Sequence, residues 1–383
     1  MDVNEKSLLL HKKLRGKLEI ISKIKLDSIE NLSLAYTPGV AEVCREISKD
    51  KSKVNDYTIK KNTVAIISDG SAVLGLGNIG PEAGLPVMEG KAILFKEFAG
   101  IDAFPICLKF QDTNKTIETI KNISPVFGGI NLEDFKAPEC FEIEAALQDL
   151  GIPVMHDDQH GTAVVVLAGI INSLKLKSSL TKENANVVIS GCGAAGTAIT
   201  KMLSNYGMKN IIILDSKGIV CRQRTDLNQA KQDLLPIINP KNLQGNLALA
   251  LQNADIFIGV SKPNLLNKEL IQLMNKNPII FALANPIPEI MPDLAKEAGA
   301  FIVATGRSDF PNQINNVLAF PGIFKGALDI NAKRITNQMK VEAAKALAGV
   351  IKIPTPDRIL PSPLDKSVVI AVSEAVKKAY SEN

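Results

Sequence analysis

The chain has 383 residues, more than one compact domain usually holds, so about two domains are expected. Its 46% hydrophobic and 22% charged residues exclude a disordered or fibrous protein. The 44 basic and 40 acidic residues leave a net charge of only +4, too weak and dispersed to argue for nucleic acid. The longest apolar run, Ala163 to Ile171, has about half the roughly 18–20 residues of a membrane span. The start of the chain mixes Asp2, Glu5 and Lys6 with only three leucines, Leu8 to Leu10, and carries no secretory signal. Cysteines 44, 107, 140, 192 and 221 form an odd set without a C-x-x-C pair, the pattern of reduced thiols. A soluble cytoplasmic protein is expected, without a nucleic-acid or membrane partner.

The first sixty residues read as helical and polar, with Leu14, Leu18, Ile21 and Ile24 at helical spacing. Tyr36-Thr37-Pro38-Gly39 breaks that pattern, because Pro38 disfavours the helical region at Thr37. A buried strand is expected at Val64–Ile67, a helix around Met88–Phe98 and a strand at Ala103–Leu108. A short strand at Val126–Asn131 leads to Glu133-Asp134, and a helix follows at Glu139–Leu150. Pro153–Met155 then runs into His156-Asp157-Asp158-Gln159-His160-Gly161-Thr162. A long helix, Thr162–Leu174, leads to a second unit with strands at 186–190, 211–214, 255–260, 278–283 and 301–304. Helices at 326–330, 333–347 and 367–380 close the chain. Strands alternating with helices predict an α/β protein with parallel sheets. The expected division places residues 1–157 with 317–383 in a substrate and metal domain, and 158–316 in a Rossmann-type dinucleotide-binding domain.

Two segments match G-x-G-x-x-G, and context separates them. Gly191-Cys-Gly193-Ala194-Ala195-Gly196 follows a strand, opens a helix and returns through Ile211–Leu214 to Asp215. Gly191 suits the tight turn, Gly193 close approach to a pyrophosphate, and Gly196 helix–strand packing. The helix N-terminus favours the phosphate charge. Gly75-Leu-Gly77-Asn-Ile-Gly80 lacks a clean return strand and reads as a loop approaching substrate or another segment. Asp215 would accept ribose hydroxyls and favour NAD, while Lys217, Arg222 and Arg224 nearby suit the NADP alternative.

The remaining polar residues are ambiguous by themselves. Glu133-Asp134 and Asp157-Asp158 end strand-like segments, where carboxylates hold Mg²⁺ or Mn²⁺ or merely face solvent. His156 and His160 lack a nearby cysteine to complete a zinc site, and His160 reads as a polar residue at a helix start. Lys91 is a solvated helix residue or, if buried beside a metal, a base. Tyr36 is a packed aromatic or a catalytic group. Asn285, Asn315 and Asn316 make loop hydrogen bonds or touch polar ligands.

Taken together these segments resemble malic enzyme in its short prokaryotic form. The resemblance rests on Tyr36-Thr-Pro-Gly-Val-Ala41, Ser68-Asp-Gly-Ser-Ala-Val-Leu-Gly-Leu-Gly77, Gly90-Lys91 and Leu132-Glu-Asp-Phe135. It continues through the His156–Thr162 and Gly191–Gly196 segments to Phe281-Ala-Leu-Ala-Asn-Pro286 and Asn315-Asn-Val-Leu-Ala-Phe-Pro-Gly322. It implies oxidative decarboxylation of L-malate to pyruvate and CO₂ with reduction of NAD or NADP, and oxaloacetate decarboxylation alongside. Carried onto matching positions, Glu133, Asp134 and Asp158 hold Mg²⁺ or Mn²⁺, with Asp157 behind them. Lys91 is the general base and Tyr36 the general acid. Asn285 and Asn315 or Asn316 touch malate or the nicotinamide side. The metal charge is what would keep Lys91 neutral enough to act as a base. Ser71-Ala72 stands where larger members carry a malate-gripping arginine, so substrate anchoring is expected from elsewhere, such as the Gly75–Gly77 backbone. The chain also stops without the phosphotransacetylase-like extension of some bacterial members. A homodimer is the default expectation. The competing readings are a metal-independent dehydrogenase of the amino-acid-dehydrogenase type and a silent NAD-binding regulatory protein.

Overall fold

The apolar runs at 63–68, 187–190, 256–259, 279–282 and 302–305 become fully buried parallel strands. The computed structural model describes residues 2–73, 75–109 and 112–380. The first unit holds α1 (Val3–Leu14), α2 (Ile29–Ala35), α3 (Val40–Lys49), α4 (Val54–Tyr57), β1 (Thr63–Ser68), α5 (Gly80–Ala99) and β2 (Asp102–Cys107). It continues with α6 (Thr113–Ile123), β3 (Gly129–Leu132), α7 (Glu139–Ala146) and β4 (Val154–His156). Its strands form one parallel sheet in the order β2-β1-β3-β4.

The helix α8 (Asp157–Leu176) carries the chain into β5 (Asn186–Ser190), α9 (Ala194–Tyr206), β6 (Asn210–Asp215) and β7 (Gly218–Ile219). After the short α10 (Gln229–Gln232) and α11 (Leu247–Leu251) come β8 (Ile256–Gly259), α12 (Lys268–Gln272), β9 (Ile279–Ala282), α13 (Pro292–Glu297) and β10 (Ile302–Thr305). The second sheet runs β10-β9-β8-β5-β6-β7 and is parallel except for the β6–β7 hairpin. The chain then continues through α14 (Phe320–Asp329), α15 (Asn337–Val350) and α16 (Ser367–Ala379).

The apolar run Ala163 to Ile171 explains the centre of the molecule. Residues 163 to 170 of α8 are all buried, because the helix is apolar all round and is covered by α9 and α15. α14 packs against α5, and α16 lies across both α14 and α15.

The N-terminal expectation fails. The chain is not helical through Ile24: Arg15, in the left-handed region, ends α1, and regular helix resumes only at Ile29. Leu14, Leu18, Ile21 and Ile24 are exposed, so their spacing records no helix face. Among the described residues before Thr63 none is buried. α8 begins five residues earlier than expected, at Asp157, which moves both of its acids from a strand end into a helix's first turn.

The α14–α16 contact depends on two glycines one turn apart, Gly322 and Gly326. A Cβ at Gly326 would lie 2.6 Å from the Ser373 carbonyl oxygen and 2.8 Å from the Val376 Cβ. Gly326→Ala should therefore destabilise the chain by about 1–3 kcal/mol from overpacking, despite roughly 1 kcal/mol of added helix propensity. A urea melt checks it: a lower midpoint is expected, and an unchanged or higher one would show that the helices part freely.

Candidate active site

The carboxyl ends of β1, β3 and β4 bring the acidic residues together. Glu133 and Asp134 follow β3, and Asp157 and Asp158 open α8 directly after β4. Asp134 sits at φ 55°, in the left-handed region that Asp tolerates better than most residues. The Ser68–Gly77 segment, of which Leu74 lies outside the described residues, fastens this acid turn. The Ala72 N–H donates to the Asp134 carbonyl at 2.8 Å, and the Lys136 N–H to Ser71 Oγ at 3.0 Å. The Asp134 N–H donates to Asp158 Oδ2 at 2.8 Å, tying the two acid pairs to each other.

Lys91 reaches into this cluster from α5. Its ammonium donates to Glu133 Oε1 at 2.5 Å and to Asp157 Oδ2, and only 7% of the residue is exposed. It also lies 4.6 Å from the centroid of the Phe320 ring, contributed by α14. Burial alone would lower its pKa, but Asp157, Glu133 and Asp158 outweigh that and hold it above the ordinary lysine value. The carboxylates are displaced the other way. Burial, then the Asp158 charge, push Glu133 and Asp134 up, and burial pushes Asp157 up to about 7.

One carboxylate oxygen from each of Glu133, Asp134 and Asp158 lies within 4.8 Å of the others. Asp134 Oδ2 is buried and has no hydrogen-bond partner. An orphaned acceptor among mutually repelling carboxylates is the environment a hard divalent cation relieves, so the residues fit such an ion. The histidines add no charge to it, although His156 Nδ1 lies 3.9 Å from Asp158 Oδ2. His156 is fully buried and, with burial pushing its pKa down to about 4, neutral, while His160 turns towards Glu144.

Three residues of this neighbourhood have no recognisable signal in the sequence. Asn131 donates to Glu133 Oε2 at 2.8 Å and fixes the face that Lys91 leaves free. Glu144 accepts from the His156 N–H at 2.9 Å, from Gln159 at 3.2 Å and from His160, anchoring the first turn of α8 from behind. Burial would raise its pKa, yet His160 and Lys340 bring it down to about 2. Gly161 completes the set, one turn after Asp157. A Cβ there would lie 1.8 Å from Asp157 Oδ1 and 3.1 Å from the Asn316 Cβ.

The dinucleotide loop joins β5 to α9 as its spacing predicts. Gly191 has φ 113°, and a Cβ there would lie 2.6 Å from the Val260 carbonyl oxygen. At Gly196 it would lie 1.8 Å from the Gly191 carbonyl oxygen, whereas at Gly193 nothing lies within 4 Å. Ala194 and Ala195 form the first turn of α9. A cavity of about 600 Å³ adjoins the loop, lined by Gly191, Gly193, Asp215, Lys217 and Ser261 among others. Asp215 is already engaged: Arg224 makes two bonds to its carboxylate, at 2.7 and 2.9 Å, and Lys231 one at 2.5 Å. Burial would raise its pKa, but these cations bring it down to about 2.

The other expected residues are distributed unevenly. Asn285 lies beside the first glycine-rich loop, since a Cβ at Gly75 would come 3.3 Å from the Asn285 carbonyl oxygen. The Asn285 strand end is held by Glu289, a fully buried carboxylate that accepts from the Ala284 N–H at 3.0 Å and the Ser261 N–H at 3.1 Å. Asn315 spends its side chain on the Val317 N–H at 3.0 Å, capping a 3₁₀ turn. Asn316 lies beside Asp157 and favours its ionised form, though Asp157 Oδ1 still lacks a hydrogen bond of good geometry. Tyr36 is the exception. It is 68% exposed, and among the described residues of this chain it does not join the Lys91 cluster.

A glycine-rich loop of dinucleotide type at the second sheet and a buried lysine among acids at the first fit a two-unit oxidoreductase of the NAD(P)-binding class. The comparisons narrow this. The malic enzyme N-terminal domain matches residues 15–115 and 109–148, and the malic enzyme NAD-binding domain matches residues 159–380. The bifunctional malic/malolactic enzyme of Bacillus subtilis is 53% identical over 386 residues, covering 100% of this chain and 94% of its own length. The NAD-dependent malic enzyme of Geobacillus stearothermophilus is 53% identical, covering 99% of this chain and 79% of its own. The crystal structure of the NAD-dependent malic enzyme from Thermotoga maritima superposes with a TM-score of 0.95 at 51% identity, covering 99% of this chain and all of that one. The chain belongs to the malic enzyme family. This rules against the two competing readings, the amino-acid-dehydrogenase type and the silent regulatory protein.

The Asp157–Gly161 contact generates a test of how tightly the cluster is built. Gly161→Ala displaces the Asp157 carboxylate from buried Lys91 and should cost about 3 kcal/mol of stability, the order of breaking a buried ion pair. In an Asp157→Ala background the clashing oxygen is absent, so the penalty of Gly161→Ala should vanish. Equal penalties in both backgrounds, read by urea denaturation, would remove the steric account.

Proposed function

We propose that this chain oxidatively decarboxylates L-malate to pyruvate and CO₂, with NAD as the hydride acceptor. The observation that carries the reading is the buried Lys91 ammonium held between Glu133 and Asp157 at the edge of an acid triad. Residues 1–157 with 317–383 form the substrate and metal domain and residues 158–316 the dinucleotide domain, a division supported by the packing of α14 on α5.

Glu133, Asp134 and Asp158 would hold Mg²⁺ or Mn²⁺, which when bound supplies Lewis-acid polarisation of substrate oxygens. The chain's own residues do the remaining work. With the triad's charge uncompensated, Lys91 is held as an ammonium. Neutralising those carboxylates is the condition under which Lys91 can accept the proton of the malate C2 hydroxyl. Asp157 orients Lys91 and receives charge from it. Asn285 and Asn316 serve as polar partners for a dicarboxylate and the nicotinamide amide, a role supported by Asn316 lying beside Asp157, with Asn315 capping the turn that precedes α14. The Gly191–Gly196 backbone and the first turn of α9 take the pyrophosphate. Asp215 takes the ribose, and its carboxylate, held ionised by Arg224 and Lys231 whose hydrogen bonds are spent on it, opposes a 2′-phosphate and hence NADP. Oxaloacetate, the β-keto acid that hydride loss produces, is decarboxylated in the same site. Tyr36 returns a proton to C3.

The exposure of Tyr36 supports a role in a partner's site. Leu8, Leu9, Leu10, Ile20, Ile21, Leu26, Ile29 and Leu34 are all exposed in the same N-terminal arm. So much apolar surface is more than a monomer leaves in water. A homodimer in which each arm packs on the other copy covers it and carries Tyr36 to the second copy's Lys91. The family's bacterial members and the five free cysteines support a cytoplasmic setting.

Turnover is checked by following NADH and NADPH formation from malate with Mn²⁺ and then with EDTA, assaying pyruvate. Mn²⁺-dependent NADH with equal pyruvate is expected, faster than NADPH. The name of the Bacillus relative makes lactate the product to assay alongside. Lys91→Ala should abolish malate oxidation while NADH binding and the fold survive; activity within roughly tenfold of wild type, about 1.4 kcal/mol of barrier, would remove Lys91 from the base role.

Shared sites have a distinct signature. Tyr36→Phe and Lys91→Ala chains should each be inactive alone. Co-assembled one to one, they should recover about a quarter of wild-type turnover, because half the dimers are mixed and each contains one complete site. No recovery in mixed dimers would place Tyr36 with the Lys91 of its own chain.

A further inference from the structure

The carboxyl ends of β8 and β9 are tied together by one side chain. Glu289 is fully buried, and among the described residues no cation lies within ion-pair distance of its carboxylate. Backbone fills its acceptors instead: Oε1 accepts from the Ser261 N–H at 3.1 Å and Oε2 from the Ala284 N–H at 3.0 Å. On the dinucleotide reading of the cavity beside Gly191–Gly196, we infer that Glu289 is a positioning residue for the cofactor. It sets the cavity wall at 261–265 and joins that wall to the turn carrying Asn285.

The wall is held from below at three points. Residues 261–264 are exposed, and Ser261, Lys262 and Leu265 line the dinucleotide cavity. Three backbone N–H groups of the segment converge on two residues: Ser261 on the Glu289 carboxylate, Asn264 on the Pro288 carbonyl at 3.1 Å, and Leu266 on the Glu289 carbonyl at 2.9 Å. From above, Ser261 meets the glycine-rich loop. Its hydroxyl lies 3.2 Å from that of Ser190, and a Cβ at Gly191 would come 2.6 Å from the Val260 carbonyl oxygen and 3.2 Å from the Ser261 Cβ. A shift of Ser261 is therefore felt at the turn that approaches the pyrophosphate. On the other side, the Ala284 N–H fixes the strand end before Asn285, whose carbonyl oxygen faces Gly75.

The residue type is specific. Each oxygen faces a separate N–H, so both atoms have to be acceptors, which a carboxylate supplies and an amide does not. Burial pushes the Glu289 carboxyl up, and the Ala284 and Ser261 N–H bonds oppose that. A buried carboxylate without a counter-ion is a costly group to keep for packing alone. Gly259 is also shaped around it, since a Cβ there would lie 2.3 Å from the Glu289 Cδ. Glu289→Gln keeps the shape but turns its NH₂ on one of the two N–H donors, leaving either Ser261 or Ala284 unbonded. Loss of the buried charge offsets part of that cost, so the wall is released while the fold is kept.

Fluorescence titration of NADH into the full-length protein, in EDTA and without malate, reads the site directly. Glu289→Gln should weaken NADH binding by roughly tenfold or more. Mn²⁺ affinity, from a separate calorimetric titration, should match wild type, because the acid triad lies at the other sheet. Hydrogen exchange on the unmodified protein gives a second reading: NADH should slow exchange at 260–266 and 283–286 together. Unchanged NADH affinity in Glu289→Gln, equal loss of both ligands, or protection confined to one of the two segments would each overturn the positioning role. No NADH binding in the wild-type protein would overturn the reading of the cavity and this role with it. Every readout is made without turnover, so it stands apart from any failure of the proposed reaction.

Discussion

The structure is organised around an unequal distribution of buried charge. Lys91 is surrounded by Glu133, Asp157 and Asp158, with Asp134 one residue further on, and one ammonium cannot neutralise four carboxylates in a poorly solvated site. The surplus is expressed as raised carboxylate pKa values, an orphaned Asp134 oxygen and a lysine held charged. Each is a form of the same imbalance, and each is relieved by added positive charge at the triad. A site that is uncomfortable in isolation is thereby prepared for a cation. The state of its lysine also follows from whether the cation is present.

That cluster is assembled by elements from distant parts of the chain. β3 presents Glu133 and Asp134, α5 presents Lys91, and α8 presents Asp157 and Asp158. α8 has the central position, because its first turn faces the triad while its apolar middle is covered by α9 and α15. Its start is fixed on one side by the Asp134 N–H bond to Asp158 and on the other by Glu144. Displacing α8 along its axis would move Asp157 and Asp158 away from Lys91 and the β3 acids together.

Much of the fold was legible in the sequence because buried parallel strands are short continuous apolar runs, and this chain spaces them regularly. The Gly191–Gly196 loop was readable for a related reason, since backbone approach leaves few residue types to choose from, whereas charge alone left the four acids ambiguous and only the family resemblance gave them a role. What the sequence concealed had weaker local signals. Leu14, Leu18, Ile21 and Ile24 follow a helical period, but Arg15 and Gly16 interrupt the backbone, and a hydrophobic pattern alone does not reveal which surface will cover it. The start of α8 was misplaced because acids suit a strand-end crevice and a helix's first turn equally well. Glu144, Asn131 and Gly161 matter through neighbours far away in the sequence, and no spacing rule announces such contacts.

The left-handed backbone at Asp134 bears on how such a protein can change over generations. Only glycine, asparagine and aspartate occupy that region at little cost, while other residues pay on the order of 1 kcal/mol. The substitutions the scaffold accepts most readily at this position are thus Asn and Gly, both of which delete the charge and keep the turn. Loss of cation binding is one nucleotide change away along a path that selection for folding does not oppose. A descendant freed from its chemistry would keep this architecture and its dinucleotide loop intact, so fold alone would not distinguish it from its working ancestor.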